Sequence, residues 1–580
     1  MTRSATAFTR TLAHSLARHA GRAFGGSSGA LQAALAEAGV HRTAIPDAAG
    51  AVAAADACAR VAGAPAIALL GFGSGFTDAT TAIAEAAQAR TPLLIVAEDE
   101  PGTAPAREVD QEMLAAALGV RSYPLSAVDV GRAVGRAASY ALRAARPVVL
   151  AVPADLLRGD DGAAPHEHAS EGEGSAPAAA LAAGGIDLDD PATIASLSAA
   201  TLGADSPRPR EAPGARSLAA PLGLDAAVNA LLGAARPLVV AGRGAHLAGA
   251  APELGALAQA LGALTATTAL VPGIFPDPRT DLGVFGCFGQ AAAMSVTAQA
   301  DVAVVVGASL EGDSSRGLFG AETTVIRIDE GVVGAPEGVD HARQILLQGD
   351  AKAVLDALLG SLAAAGALPS GWRESVFGLE AGGALRVRDT GAVEHPGGVC
   401  ADLRLDPRAV ASRIGELLPL DRYVVAENGS GLAWASMFWP ASAPERLIAV
   451  GAGFESTGLG LSALAGVAAA APSTSVVLST GADGLASLSR LESAVRSIPS
   501  CAIVVWNEGR AADDPAMAPS IAVDTDFAAV ATALGARGVR VERLEALDAL
   551  GSWVAAGAYG TILLDCRVSP IVGWNPPPAG

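Results

Sequence analysis

Two segments of the chain combine residue types that could do chemistry. Ser479-Thr-Gly-Ala-Asp-Gly484 and Cys501-Ala-Ile-Val-Val-Trp-Asn-Glu-Gly509 each read as a strand running into a polar, glycine-containing turn. Loops at the carboxyl ends of parallel strands are where such sheets bind ligands. Asp483 offers a hard carboxylate oxygen, and Asn507, 24 positions later, a neutral amide oxygen. With a backbone carbonyl near Gly509 and a diphosphate, these groups would make an octahedral Mg²⁺ site. A plainer reading stays open: Asp483 as the cap of the helix that follows, and Asn507 as a turn residue.

Composition narrows the chemistry. The 580 residues carry 39 Lys+Arg against 59 Asp+Glu, a net charge of −20, which argues against a nucleic-acid or anionic-membrane partner. Lys352 is the single lysine, so a P-loop ATPase or a lysine Schiff-base enzyme has almost nothing to work with. Cys58, Cys287, Cys400, Cys501 and Cys566 lie far apart with no CxxC pair and suit a reduced, cytoplasmic protein. No apolar stretch is long enough to span a bilayer.

These residues need a sheet to position them. Nine short apolar runs recur, beginning at Pro92, Pro147, Pro237, Val302, Thr324, Tyr423, Ser475, Ala502 and Thr561. Such runs suit strands buried on both faces of a parallel sheet. Ala-rich amphipathic segments such as 79–90, 130–143, 226–234 and 409–417 alternate with them. The pattern predicts an α/β chain of three doubly wound parallel-sheet domains at 1–157, 223–367 and 406–580. The Gly/Pro/Ser-rich stretches 158–222 and 368–405 read as linkers.

The layout Ala482-Asp483-Gly484 followed by Asn507-Glu508-Gly509 resembles the cofactor motif of thiamine-diphosphate enzymes, Gly-Asp-Gly then Asn-Asn. The likeness extends over nearly the whole chain and is most similar to the acetolactate synthase branch. Asp56-Ala-Cys-Ala-Arg60 with Gly63, Gly73-Ser-Gly-Phe-Thr-Asp78, Gln111-Glu112, Pro153-Ala-Asp155, Pro237-Leu-Val-Val-Ala-Gly-Arg-Gly-Ala245, Glu427-Asn-Gly429 and Gly458-Leu-Gly-Leu-Ser462 fall in the family's order.

The resemblance implies a first domain that holds the aminopyrimidine and a third that holds the diphosphate with Mg²⁺. It implies a site shared between two chains, hence a homodimer or homotetramer. Asp483, Asn507 and the Gly509 carbonyl would ligate the metal, Gly429 and Ser430 would meet the phosphates, Gly484 would line the cofactor, and the main chain of Glu455 and Thr457 would meet the aminopyrimidine. The implied activity is decarboxylation and carboligation of 2-keto acids; alternatives are a benzoylformate-type decarboxylase and a catalytically impaired, cofactor-binding paralogue. The departures bear on that choice. The family's proton-bearing Glu falls on Ala48, with Asp47 adjacent; Thr457 replaces the bulky residue that props the cofactor; Gly431-Leu432 replaces a His-Gln pair; and Ser309 replaces an Arg that helps hold FAD, which counts against FAD.

Overall fold

The computed structural model describes residues 7–71, 73–99, 109–158, 221–310, 319–320, 322–331, 341–377, 398–485, 487–509 and 525–573. Most of the two expected linkers lies outside these residues. Three six-stranded sheets, all with parallel pairing, organise the rest. The first holds β1 (Arg22–Gly25), β2 (His41–Thr43), β3 (Ala66–Leu70), β4 (Leu93–Asp99), β5 (Arg121–Pro124) and β6 (Val148–Pro153), in the order β2-β1-β3-β4-β6-β5. The second holds β7 (Pro237–Ala241), β8 (Leu264–Thr267), β9 (Asp281–Val284), β10 (Val302–Val306), β11 (Thr324–Asp329) and β12 (Gln344–Gln348), in the order β12-β11-β10-β7-β8-β9. The third holds β13 (Arg422–Glu427), β14 (Leu447–Val450), β15 (Ser475–Gly481), β16 (Ser500–Asn507), β17 (Arg537–Val541) and β18 (Gly560–Arg567), in the order β14-β13-β15-β16-β18-β17.

The first and third sheets therefore share one topology, and the second has another. All nine apolar runs are strands, and β7 and β10 are buried at every residue. The four Ala-rich segments are helices, at Thr80–Gln88, Val130–Ala144, Leu224–Leu232 and Pro407–Leu417. The three-domain α/β architecture expected from the sequence is the one observed. Among the described residues no helix is long and apolar enough to cross a membrane.

Two helices join the first and third domains. Ala48–Ala62 starts at the N-cap Asp47 and stops at Gly63, whose φ of +64° gives the left-handed turn that glycine tolerates best. Its residues 49–59 are all buried, as expected of a helix apolar all round. It lies beside Gly460–Ala470, also buried through most of its length. A Cβ built on Gly50 would lie 2.5 Å from Ser462 Oγ, and one on Gly466 would collide with the carbonyl of Ala54. These contacts step four residues along both helices, so the helices run in the same direction with their N-termini together. A single hydrophobic cluster passes through the seam, from Ile95 in the first sheet to Ile503 in the third.

Two glycines, one in the seam and one outside it, should respond in opposite ways to an added methyl. Gly466→Ala should destabilise the protein by about 1–3 kcal/mol, because Ala54 backbone blocks the methyl. Gly360→Ala, in the helix Ala351–Ala364 with open space around it, should stabilise by about 0.5–1 kcal/mol. Urea denaturation of the two variants checks both signs.

Candidate functional site

The topological switch point of the third sheet lies between β13 and β15, where strand order reverses; in such sheets ligands bind at the carboxyl ends of the strands. β13 ends at Glu427 and the chain turns through Gly429 (φ +84°) into the helix Ser430–Phe438. Ser479 Oγ donates to Gly431 O at 2.7 Å and accepts from Trp506 Nε1 at 2.9 Å, fixing the start of this helix against β15 and β16. The β15–β16 ladder ends at Gly481 and Trp506; Asn507 is the last residue of β16, still paired with Arg567 of β18, and Asp483 follows β15 by two residues, so the two stand at neighbouring strand ends. A Cβ on Gly481 would stand 2.5 Å from Asp483 Oδ1 and 3.2 Å from Ser430 Oγ. Only glycine there admits both groups, and it brings the carboxylate and the helix N-terminus together.

Asp483 is exposed, whereas Asn507 is buried. The Asn507 Nδ2 group donates to Asp565 Oδ1 at 2.8 Å and to Thr525 O at 3.3 Å. Both amide hydrogens are thus used on one side, and Oδ1 faces Gly509, whose N–H it accepts at 3.3 Å. Asp565 in turn pairs with Arg567 at 3.0 Å and accepts from Phe527 N at 3.1 Å. Burial raises the Asp565 carboxyl, against the lowering effects of Asn507 and Arg567. Burial, then the charge of Asp483, pushes Glu508 up to about 7. Gly509 has φ +68°, and the Arg404 guanidinium lies against its Cα while donating to Asn507 O at 3.2 Å.

Glu427 lies at the end of β13, behind these strand ends. It is fully buried, accepts from Thr480 Oγ1 at 2.5 Å and from Gly460 N at 3.0 Å, and burial raises its carboxyl. A Cβ on Gly484 would collide with both Glu427 and Thr480. Glu427 thereby ties the Asp483 turn to the loop 451–459 that leads into the helix Gly460–Ala470. In that loop Glu455 and Thr457 are exposed, and Glu455 adopts φ +48°.

The first domain of the same chain meets this loop from the other side, whereas the resemblance implied a first domain supplied by a second chain. Asp47 caps the Ala48–Ala62 helix by accepting Gly50 N at 2.7 Å. It also accepts Arg490 Nε at 2.8 Å and Nη2 at 2.7 Å, and Arg490 Nη1 donates to Gly458 O. Burial alone would raise the Asp47 carboxyl, but Arg490 and the Gly50 N–H outweigh it and hold the group below its usual range. Ala48 is the half-buried first residue of the helix. Glu85, in the helix Thr80–Gln88, accepts Gly453 N at 3.2 Å and Phe454 N at 2.9 Å.

Three family models match this chain in order. Residues 2–120 match the thiamine pyrophosphate enzyme N-terminal TPP-binding domain, 224–358 the central domain and 427–566 the C-terminal TPP-binding domain. The chain belongs to the thiamine pyrophosphate enzymes. Comparison with curated proteins gives no match.

The residues at the strand ends fit what a thiamine pyrophosphate enzyme must hold. Asp483 and the oriented Asn507 oxygen are hard donors, and Gly429 and Ser430 begin a helix whose N–H groups suit a phosphate. Among the described residues no cluster of three His, Cys, Asp or Glu side chains makes a self-contained metal cage, so phosphate oxygens would have to complete the shell. Asp483 does not cap the helix Leu488–Ser497: Ser487 stands at that N-cap, beyond an intervening 3₁₀ turn. Asn507 does form a turn with Gly509, and that turn orients its oxygen.

The structure thus places Gly429, Ser430, Asp483, Gly484, Asn507 and Gly509 at the carboxyl ends of β13, β15 and β16, and Asp47, Ala48, Glu455 and Thr457 around the adjoining domain seam. Sequence reasoning missed Glu85, Arg490 and Asp565, and took Glu427 only as part of the Glu427-Asn-Gly429 segment. Glu427 and Asp565 carry a usable signal, an acid ending an apolar run. Nothing local marks Glu85 or Arg490.

Two outcomes follow from these environments. Asp565→Ala should cost about 3–5 kcal/mol by leaving buried Arg567 without its carboxylate, while Asp483→Ala at the exposed turn should stay within about 0.5 kcal/mol; chemical denaturation measures both. Asp47→Asn keeps an oxygen for the helix cap and removes the charge. Because the folded Asp47 carboxyl is depressed, its ion pair stabilises above the unfolded value of about 4 and is lost as pH falls through the folded value. The parent should therefore exceed Asp47→Asn in stability at pH 6, with the gap closing below about pH 4.

Proposed function

We propose that the chain is a thiamine-diphosphate- and Mg²⁺-dependent enzyme of the acetolactate synthase type. It would decarboxylate a 2-keto acid and transfer the fragment to an acceptor carbonyl. The observation that carries this reading is the meeting of Asp483, the oriented Asn507 oxygen and the Ser430 helix N-terminus at one switch point. Asp483 and Asn507 would hold the metal, with the Gly509 carbonyl as third ligand, and Gly429 and Ser430 the phosphates. Thiamine diphosphate, when bound, supplies the carbon nucleophile; the protein binds, orients and desolvates it.

A specific observation favours a second reading, a cofactor-binding paralogue with impaired catalysis. Ala48 has no proton to exchange, and Asp47 is committed to a helix cap and a two-bond ion pair that keeps it ionised. Assembly as a homodimer or homotetramer is also proposed, on the resemblance; sedimentation at micromolar concentration tests it.

Calorimetric titration with thiamine diphosphate plus Mg²⁺ tests the cofactor, and a CO₂-release screen over 2-keto acids tests the reaction. Asp483→Ala and Asn507→Ala should each weaken binding by at least about tenfold. Ala48→Glu should raise CO₂ release by on the order of 10²–10⁴ if the missing acid limits the parent. A parent that turns over well and gains nothing from Ala48→Glu would leave the impaired reading without support; a parent that binds no cofactor would sink both readings.

A further inference from the structure

The loop 453–458 is shaped by groups outside its own domain. At one end both Glu85 oxygens take the N–H groups of Gly453 and Phe454. Gly453 has no room for a side chain, since a Cβ would stand 2.8 Å from Gln88 Cβ, so its backbone can reach the carboxylate. At the other end Arg490 donates to Gly458 O and is itself held by two hydrogen bonds to Asp47. Between these anchors Glu455 sits at φ +48°, a backbone state that persists only where its surroundings enforce it. Ser456 N donates to Gly451 O at 3.1 Å and closes the loop on itself. One anchor, Glu427 on Gly460 N, belongs to the third domain; Glu85 and Asp47 belong to the first.

We propose that Glu85, directly, and Asp47, through Arg490, are positioning residues that set the backbone of loop 453–458. The main-chain groups of Glu455 and Thr457 then stand ready for a heteroaromatic ring only when the two domains are docked. This rests on the proposed thiamine diphosphate binding. The carboxylate beside the family's acid position thus works as a clamp on backbone geometry rather than as a proton carrier. A loop ordered before binding loses less entropy on meeting its ligand, so the clamp contributes affinity.

The test uses the full-length chain and three variants: Glu85→Ala, Glu85→Gln and Arg490→Met. Amide hydrogen exchange over residues 451–459 reports the loop, and calorimetry with thiamine diphosphate plus Mg²⁺ reports binding. In Glu85→Ala and Arg490→Met, exchange should rise and binding weaken, each by about tenfold. Glu85→Gln keeps one acceptor oxygen and should fall between parent and Glu85→Ala. Arg490→Met provides a second reading should Glu85→Ala fail to fold, because Arg490 is partly exposed whereas Glu85 is buried. Unchanged loop protection in the folded variants would overturn the clamp. So would loosened loops with the parent's affinity. If the parent binds no cofactor, the functional reading fails separately, and loop protection alone then upholds or overturns the anchoring.

Discussion

The close approach of the Ala48–Ala62 and Gly460–Ala470 helices is the constraint on which the rest of the molecule depends. Their seam is built from Gly50, Ala54, Ser462 and Gly466, residues small enough for backbone to touch side chain or backbone. Both helices begin at the functional region: one is capped by Asp47, the other follows loop 451–459. The spacing of the two axes therefore sets how far the first domain stands from that loop. A larger residue in the seam moves the loop's anchors as well as the core.

Apolar packing holds the seam shut without specifying its angle, and a buried polar junction supplies that. Arg60 pairs with Asp56 at 2.6 Å and donates to Ala449 O in β14 at 2.6 Å, so one guanidinium ties the first domain to the third. Arg243 of the central domain donates to Ala89 O, and burial, followed by the nearby Arg60 charge, lowers it to about 10. Burial raises Glu85 despite Arg60 beside it. Buried charges are costly unless paired and hydrogen-bonded, so the contacts this group makes across the domains favour the docked geometry over others. The central sheet adds its own closure: Gly242 and Gly244 donate to Val306 O and Gly307 O, both at 2.8 Å, and pack their backbones across its switch point.

In the third domain two buried carboxylates hold the residues at the strand ends. Asp565 orients Asn507, and Glu427 links the Asp483 turn to loop 451–459. The outer groups can face a ligand because the inner carboxylates have already fixed their supports. Outer-shell partners of this kind orient hard-cation ligands in general.

The sequence by itself marked nine of the eighteen strands, all in the interiors of their sheets, and half of the site. Burial on two faces demands unbroken runs such as Val302–Val306, and that demand is written in consecutive residues. Strand β3, Ala66–Leu70, escaped notice because two of its five residues are alanine; β2 and β17, at sheet edges, are short or polar enough to read as loop. Asp483 and Asn507 were legible because Asn507 ends its strand and Asp483 follows its own by two residues. Only the tertiary structure decided that Asp47 answers Arg490, 443 positions away, that Glu85 reaches Gly453 across 368, and that Asp565 turns the Asn507 amide. Strand and helix patterns are local and survive any docking of the domains. Ion pairs and carboxylate-to-backbone contacts exist only once separate cores have met, and nothing in neighbouring residues records the partner.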